Sequence, residues 1–248
     1  GKFGFFCSEA STFKKIADEL GIICLSAPGE PLHYVRHPLV YLMEAADDIC
    51  YEIMDIEDSH KLKILSFDET TELLLGFFDK NTQTDILNRL KREGVTDENE
   101  KIVYMRACVV GKLENECVQA FVDHEDEILH GTLKGTLIDN ISEPQRLAYK
   151  RCSEISYKRI YRSKPVLDIE LSGYKIMETL MQSLISAVVQ PERFHSKQII
   201  ERVSSQYDIR SNNLETRIMA VLDYISGMTD VYALDVYQKL SGISLPIV

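Results

Sequence analysis

Two carboxylates and a phenol recur at a regular spacing in one segment of the chain. Asp47, Tyr51 and Asp55 follow one another at intervals of four residues. On a helix that turns about 100° per residue they lie within about 80° of each other, while Ile49 and Ile53 point roughly the opposite way. Such a stripe offers oxygen atoms to a hard cation and hydrogen-bonding groups to a ligand. On spacing alone, a solvated acidic face with a tyrosine at its edge is the commoner outcome, so a function needs further support.

A long helix must position this stripe. Pro38 suits a first helical turn, and the pattern after it predicts a helix from residue 38 to about residue 58. Helical spacing of apolar residues predicts the other elements too. These cover residues 8–20, 66–78, 82–93, 98–129, 165–189, 196–205, 214–227 and 230–240, with one more helix beginning at Pro144. Strand-like alternation is confined to residues 158–161, so the sequence predicts an all-α bundle.

The composition is that of an acidic globular protein. Among 248 residues, 39 Asp and Glu outnumber 28 Lys and Arg, which gives a net charge of −11. This charge repels phosphate backbones and argues against nucleic acid as the main partner, although it leaves room for a nucleic-acid effector. Charged residues at 27% and apolar residues at 45% are typical of a folded domain.

The sequence carries weaker signals for the cellular compartment and for whether the chain is a fragment. The six cysteines form no C-x-x-C pair and predict reduced thiols in a cytoplasmic protein. No apolar run approaches the ~20 residues of a membrane span. The first residues carry neither an initiator Met nor a signal peptide, so we expect a fragment that begins within a longer protein.

Other polar clusters have plainer interpretations. Residues 123–126 (DHED) could be a metal box, but neighbouring helix residues diverge by about 100°, so a solvated acidic turn is favoured. His37 precedes Pro38, and a capping or loop role is favoured for it over metal ligation. A basic cluster could bind an anion or an effector nucleotide, or pair with acidic neighbours in an oligomer. Its members are Lys150, Arg151, Lys158, Arg159 and Arg162.

Three blocks of the sequence carry a family resemblance. Residues 44–49 (EAADDI), followed by Tyr51 and Asp55, resemble the signature helix of bacterial deoxyguanosine triphosphate triphosphohydrolases, which are members of the HD-domain superfamily. Residues 223–233 (DYISGMTDVYA) resemble a second signature of these enzymes, and residues 2–6 (KFGFF) resemble a third. The blocks occur in the family's order and span almost the whole chain.

The resemblance implies an architecture. We expect an HD-domain-type helical bundle, represented by its C-terminal part, with additional C-terminal helices. Residues 1–140 would belong to the catalytic core, and residues 141–248 would form a helical region packed on that core as one unit. Residues 223–233 are rich in apolar side chains and are assigned to packing.

The resemblance also assigns roles to the stripe. Asp47 matches the family's last metal ligand, and hard divalent ions prefer such oxygen ligands beside imidazoles. Tyr51 matches a tyrosine at the sugar, and Asp55 matches the carboxylate that accepts a hydrogen bond from the deoxyribose 3'-hydroxyl. Lys2 matches a lysine that contacts the triphosphate, a role that suits a compact ammonium.

Two further residues are weaker candidates. Tyr104 and Arg106, on the long amphipathic helix, could reach the base or the phosphates, as residues of these types do in related enzymes. An ordinary surface pair is equally compatible with the pattern.

The histidines depart from the family pattern. Six are present, but none is followed by Asp, so the family's His-Asp pair is absent from this chain. The metal-binding histidines and a proton-donating histidine would lie upstream of Gly1. We therefore expect the chain alone to lack a complete divalent-metal site, whether for Mg²⁺, Mn²⁺ or a similar ion, and to be inactive.

The resulting hypothesis is a metal-dependent hydrolase. In the full-length protein, dGTP or another dNTP would be hydrolysed to deoxynucleoside and inorganic triphosphate, with this chain supplying part of the active site. Related enzymes are often homo-oligomers, and the same is expected here by analogy. The alternative is a noncatalytic all-α regulatory or oligomerisation module derived from an HD domain.

Overall fold

The fold consists of helices throughout residues 4–244, the part of the chain that the computed structural model describes. The helices are α1 (Ala10–Leu20), α2 (Pro38–Lys61), α3 (Phe67–Leu75), α4 (Lys80–Arg92), α5 (Glu98–Asp123), α6 (Glu125–Leu129), α7 (Glu143–Ile155), α8 (Lys164–Val189), α9 (Phe194–Glu201), α10 (Leu214–Ser226) and α11 (Asp230–Leu240). Within residues 4–244, the β-type pairing is limited to one isolated antiparallel bridge between Cys24 and Tyr34. The predicted all-α fold class is confirmed.

The chain divides into two compact units, one that ends at Ser163 and one that begins at Lys164. The boundary predicted near residue 140 stays a prediction. Of the helices in residues 4–244, none is both long enough and apolar enough to cross a bilayer.

The core of the first unit lies between α2 and α5. Ile53 and Ile56 of α2 are completely buried, and so are Ile102 and Leu113 of α5. These residues recur at the three- and four-residue steps that give a helix one apolar face. Burial of this face orients α2 and thereby fixes which of its side chains point outwards.

The second unit is organised around α8. Leu180, Leu184 and Val188 lie one turn apart on α8 and are buried in a cluster with Val221 of α10 and Ile199 of α9. The apolar residues around 224–236, which belong to the predicted C-terminal signature and the helix after it, enter this same cluster, as a packing role requires.

The helix predicted over residues 98–129 is interrupted. The chain turns at His124, where φ is −110° and ψ is 20°, so α5 ends and the short helix α6 begins. Three carboxylates, those of Glu125, Asp126 and Glu127, consequently lie in the first turn of α6. Carboxylates are favoured at a helix N-terminus and disfavoured at a C-terminus, which explains a break at this position.

A π-helical turn forms where the sequence shows strand-like alternation, at residues 158–161. Ser156–Ile160 continues α7 as a π-helix, and Tyr161 closes it by donating its backbone N–H to the carbonyl of Ser156 (3.0 Å). π-helical turns are rare and are frequent at functional sites. This turn lies beside α2, which makes its side chains relevant to the stripe.

Candidate functional site

The stripe lies on the side of α2 that faces away from the core. His37 caps this helix as predicted, because its Nδ1 accepts a hydrogen bond from the backbone N–H of Leu39 (3.2 Å). Asp47 is exposed, Tyr51 is 66% exposed and Asp55 is half-buried. The helix thus presents a carboxylate, a phenol and a second carboxylate in a row, as the spacing predicts.

Asp55 is held by a residue far away in the sequence. The phenol of Tyr161 donates a hydrogen bond to Asp55 Oδ2 over 2.6 Å. Burial raises the pKa of Tyr161 above its ordinary value, and the hydrogen bond to Asp55 raises it further, so the phenol stays protonated and remains a donor. The sequence contains no signal for this contact, since 106 residues separate the partners.

A buried carboxylate lies one turn before Asp55. Glu52 accepts hydrogen bonds from the hydroxyls of Ser153 (2.7 Å) and Ser156 (2.8 Å). Burial raises the pKa of Glu52, although both hydroxyls oppose this shift by stabilising the charged form. Tyr149 adds a third polar contact between α7 and α2 by donating to the carbonyl oxygen of Asp48 (3.0 Å). The side of α2 next to the stripe is therefore fastened to α7 and its π-helical turn.

An apolar groove of about 340 Å³ runs along the other side of the stripe, between α2 and α5. Ala46, Cys50 and Met54 line it from α2, and Val110 and Val118 line it from α5. Ala45 is buried at the floor of this groove.

Arg106 and Tyr104 point in different directions on α5. Arg106 Nε lies 2.5 Å from Glu57 Oε2, the distance of an ion pair, and Lys61 Nζ lies 2.6 Å from the other oxygen of Glu57. The ring of Tyr104 instead lies beneath the guanidinium of Arg89, with 5.5 Å between Cζ and the ring centroid. The two side chains do not meet, and their predicted contact with the base or phosphates stays a prediction.

The fit of a metal ion is limited to one ligand. Within residues 4–244, no cluster of three or more His, Cys, Asp or Glu side chains could hold an ion. Asp47 is exposed and can serve as one oxygen ligand, but the remaining ligands would have to come from outside these residues. Lys2 lies outside the described residues.

The other predicted clusters have ordinary surroundings. Residues 123–126 span the break between α5 and α6, where Nδ1 of the half-buried His124 lies 3.3 Å from Glu127 Oε1. The basic cluster pairs with acidic residues of the same unit: Arg159 with Glu69 (2.5 Å) and Arg151 with Glu72 (2.7 Å). The Arg159 guanidinium lowers the pKa of Glu69 to about 2. Two of its five members, Arg151 and Arg159, therefore fasten α7 and its π-helical turn to α3.

One protein-family model matches part of the chain. Residues 140–239 match the family model of the phosphohydrolase-associated domain. Together with the all-α fold, this match is in keeping with an HD-type helical bundle and its C-terminal extension.

Several curated proteins are similar to the chain over almost its whole length. The chain is 30% identical over 99% of its length to a deoxyguanosinetriphosphate triphosphohydrolase-like protein of Pseudomonas aeruginosa (strain LESB58), of which it covers 55%. It is also 30% identical over 98% of its length to a protein of the same name from Synechocystis sp., of which it covers 53%. A deoxyguanosinetriphosphate triphosphohydrolase of Yersinia enterocolitica is 25% identical over 96% of the chain, which covers 54% of that relative.

These similarities confirm the resemblance predicted from the three sequence blocks. The chain is similar over 96–99% of its own length to proteins named deoxyguanosinetriphosphate triphosphohydrolase or triphosphohydrolase-like protein. It spans about half the length of the curated relatives that it matches.

Proposed function

We propose that the full-length protein hydrolyses a deoxynucleoside triphosphate, preferentially dGTP, to deoxynucleoside and inorganic triphosphate, and that this chain forms one wall of the active site. The observation that carries the proposal is the outward-facing row of Asp47, Tyr51 and Asp55 on α2, in a chain whose relatives bear the name of this activity. The preference for dGTP comes from the names of the relatives alone.

Asp47 is proposed as one ligand of a divalent metal ion. When bound, such an ion neutralises charge at the α-phosphate and lowers the pKa of a water molecule that attacks phosphorus. Asp47 suits this role because its carboxylate is exposed on the helix face opposite the buried Ile49 and Ile53. The histidine ligands, and a histidine that protonates the departing 5'-oxygen, are proposed to lie in the part of the protein upstream of Gly1.

Tyr51 and Asp55 are proposed to bind the sugar. Tyr51 is 66% exposed and can place its phenol and ring edge against a deoxyribose. Asp55 lies one turn further along the same face and can accept a hydrogen bond from the 3'-hydroxyl. Spacing of four residues, a rise of about 6 Å, between successive side chains of the stripe suits the succession of phosphate, sugar ring and sugar hydroxyl in a nucleotide. Lys2 is proposed to offset triphosphate charge.

Cellular setting and assembly belong to the same proposal. A homo-oligomeric enzyme is expected by analogy with related enzymes, and a cytoplasmic location is expected from the cysteines. The six cysteines are all free thiols, which suits a reducing compartment.

Product analysis tests the proposed reaction. Full-length protein incubated with dGTP and Mn²⁺ should release inorganic triphosphate and deoxyguanosine in equal amounts. Asp47→Asn should abolish this release, whereas Asp85→Asn should not, because Asp85 is an exposed carboxylate on α4 outside the stripe. Release of pyrophosphate or monophosphate would refute the reaction type, and no release at all would favour the noncatalytic module.

A further inference from the structure

Tyr161 occupies one oxygen of the Asp55 carboxylate and leaves the other open. The phenol donates to Asp55 Oδ2 over 2.6 Å, and within residues 4–244 no hydrogen bond involves Oδ1. Asp55 is half-buried, and Tyr161 is 40% exposed. A ligand hydroxyl that approaches α2 from solvent therefore meets a carboxylate whose free oxygen already has a defined direction.

We infer that Tyr161 is a positioning residue for substrate recognition, which orients the Asp55 carboxylate so that Oδ1 accepts the hydrogen bond of a sugar hydroxyl. The inference rests on the proposed function, because that function assigns Asp55 to the sugar. Tyr161 would act through Asp55 and needs no contact with the substrate.

The π-helical turn gives Tyr161 its fixed place. The extra residue in the turn lets Ser156 point inwards, where its buried hydroxyl donates to Glu52 (2.8 Å), while Tyr161 five residues later reaches Asp55. Glu52 and Asp55 are three residues apart on α2 and lie on neighbouring positions of its surface. The π-helical turn and the residue that closes it thus hydrogen-bond to two carboxylates of α2, those of Glu52 and Asp55.

The opposite side of the turn is also anchored. Arg159 pairs with Glu69 (2.5 Å) and donates through Nη2 to the carbonyl oxygen of Ile64 (3.0 Å). Contacts on both sides leave the Tyr161 phenol little freedom to leave Asp55. Without its donor, the carboxylate would sample other rotamers, and each productive encounter with a hydroxyl would first require it to be reoriented.

If Tyr161 orients Asp55, its removal should weaken recognition of the 3'-hydroxyl and of no other group of the substrate. A phenol that merely ties two helices together would, when removed, weaken the fold and lower turnover of every substrate alike. A phenol that orients Asp55 affects substrates that carry a 3'-hydroxyl and spares those that lack it. Comparison of dGTP with 2',3'-dideoxyguanosine triphosphate separates these possibilities.

The test uses the full-length protein with Tyr161→Phe, which removes one hydroxyl and keeps the ring. The expected result is a KM for dGTP about tenfold higher, the scale of one hydrogen bond to a charged group, with kcat unchanged. The KM for the dideoxy substrate should not change. Tyr157→Phe is the matched control, because Tyr157 lies in the same turn, is 61% exposed and contacts Arg162 instead of Asp55.

Asp55→Ala and the double variant complete the design. Asp55→Ala should also raise the KM for dGTP selectively, and adding Tyr161→Phe to it should cause no further loss, because the two residues act in series. If Asp55→Ala is selective while Tyr161→Phe affects neither substrate or both equally, the positioning role is wrong and the proposed function stands. If Asp55→Ala itself leaves the KM for dGTP unchanged, the sugar assignment fails and the positioning role fails with it.

Discussion

Replacement of Glu52 should show how strongly α2 depends on the π-helical turn. Its carboxylate is buried and accepts two serine hydroxyls, those of Ser153 and Ser156. In Glu52→Ala both hydroxyls lose this acceptor. Ser153 retains a second acceptor, the carbonyl oxygen of Tyr149 at 3.3 Å, whereas the hydroxyl of the fully buried Ser156 has no other hydrogen bond within residues 4–244.

The expected change in the free energy of unfolding follows from these contacts. An unsatisfied buried hydroxyl costs about 1–3 kcal/mol, and the truncated side chain also leaves a small cavity. Relief of carboxylate burial offsets part of the loss, so we expect Glu52→Ala to lower the free energy of unfolding by about 2 kcal/mol. Glu52→Gln keeps the shape and can still bond both hydroxyls, so its effect should be smallest at low pH, where the wild-type carboxyl is also protonated.

The stability contributed by Glu52 depends on pH. Burial raises the pKa of Glu52 in the folded state above its value of 4.5 in the unfolded chain. The folded state therefore holds the proton more tightly, and the stability contributed by Glu52 is complete below pH 4.5 and is lost as pH rises through the raised pKa. Glu52→Gln lacks this loss, so its stability relative to wild type should increase between pH 4 and pH 8, by about 1.4 kcal/mol per unit of pKa shift.

Urea unfolding of the 248-residue chain, followed by circular dichroism across this pH range, measures both effects. Two results would refute the reasoning. One is a Glu52→Ala variant as stable as wild type. The other is a difference between Glu52→Gln and wild type that stays constant with pH.

Two further predictions concern single side chains. Burial raises the pKa of Cys152 to about 12 and that of Cys117 to about 11. Iodoacetamide at pH 8 should therefore label the exposed Cys50 in the folded chain and leave these two thiols unlabelled until urea is added. Mass spectrometry measures the labelling, and prompt labelling of Cys152 would contradict the prediction. The Arg159 guanidinium holds the pKa of Glu69 at about 2, so Arg159→Gln should raise that pKa towards 4.5. An NMR titration measures this pKa, and an unchanged value would mean that the ion pair is not formed in solution.

Local sequence signals were sufficient for most helices and for the outward face of the stripe. Proline at a first turn and apolar residues at helical steps place α2, α8 and α11 close to their observed limits, because these signals act within a few residues. Burial of Ile49 and Ile53 then determines that Asp47, Tyr51 and Asp55 point outwards.

Contacts between distant segments could not be predicted in this way. The π-helical turn adds a residue to a helix that otherwise follows its normal period, and nothing in residues 156–160 announces it. The contacts of Tyr161 with Asp55 and of Ser156 with Glu52 join residues more than 100 positions apart, and only the packing of α7 on α2 brings them together. Nothing in the sequence distinguishes the buried Glu52 from the exposed acids of α2, such as Asp47.

Metal content tests the central claim most directly. Full-length wild-type protein and its Asp47→Ala and Asp55→Ala variants would be loaded with Mn²⁺, freed of excess ion by gel filtration and analysed for metal per chain. If Asp47 is a metal ligand and Asp55 binds the sugar, wild type and Asp55→Ala should retain the ion, and Asp47→Ala should lose it. Equal metal content in wild type and Asp47→Ala would contradict the assignment of the α2 stripe to a metal and sugar site.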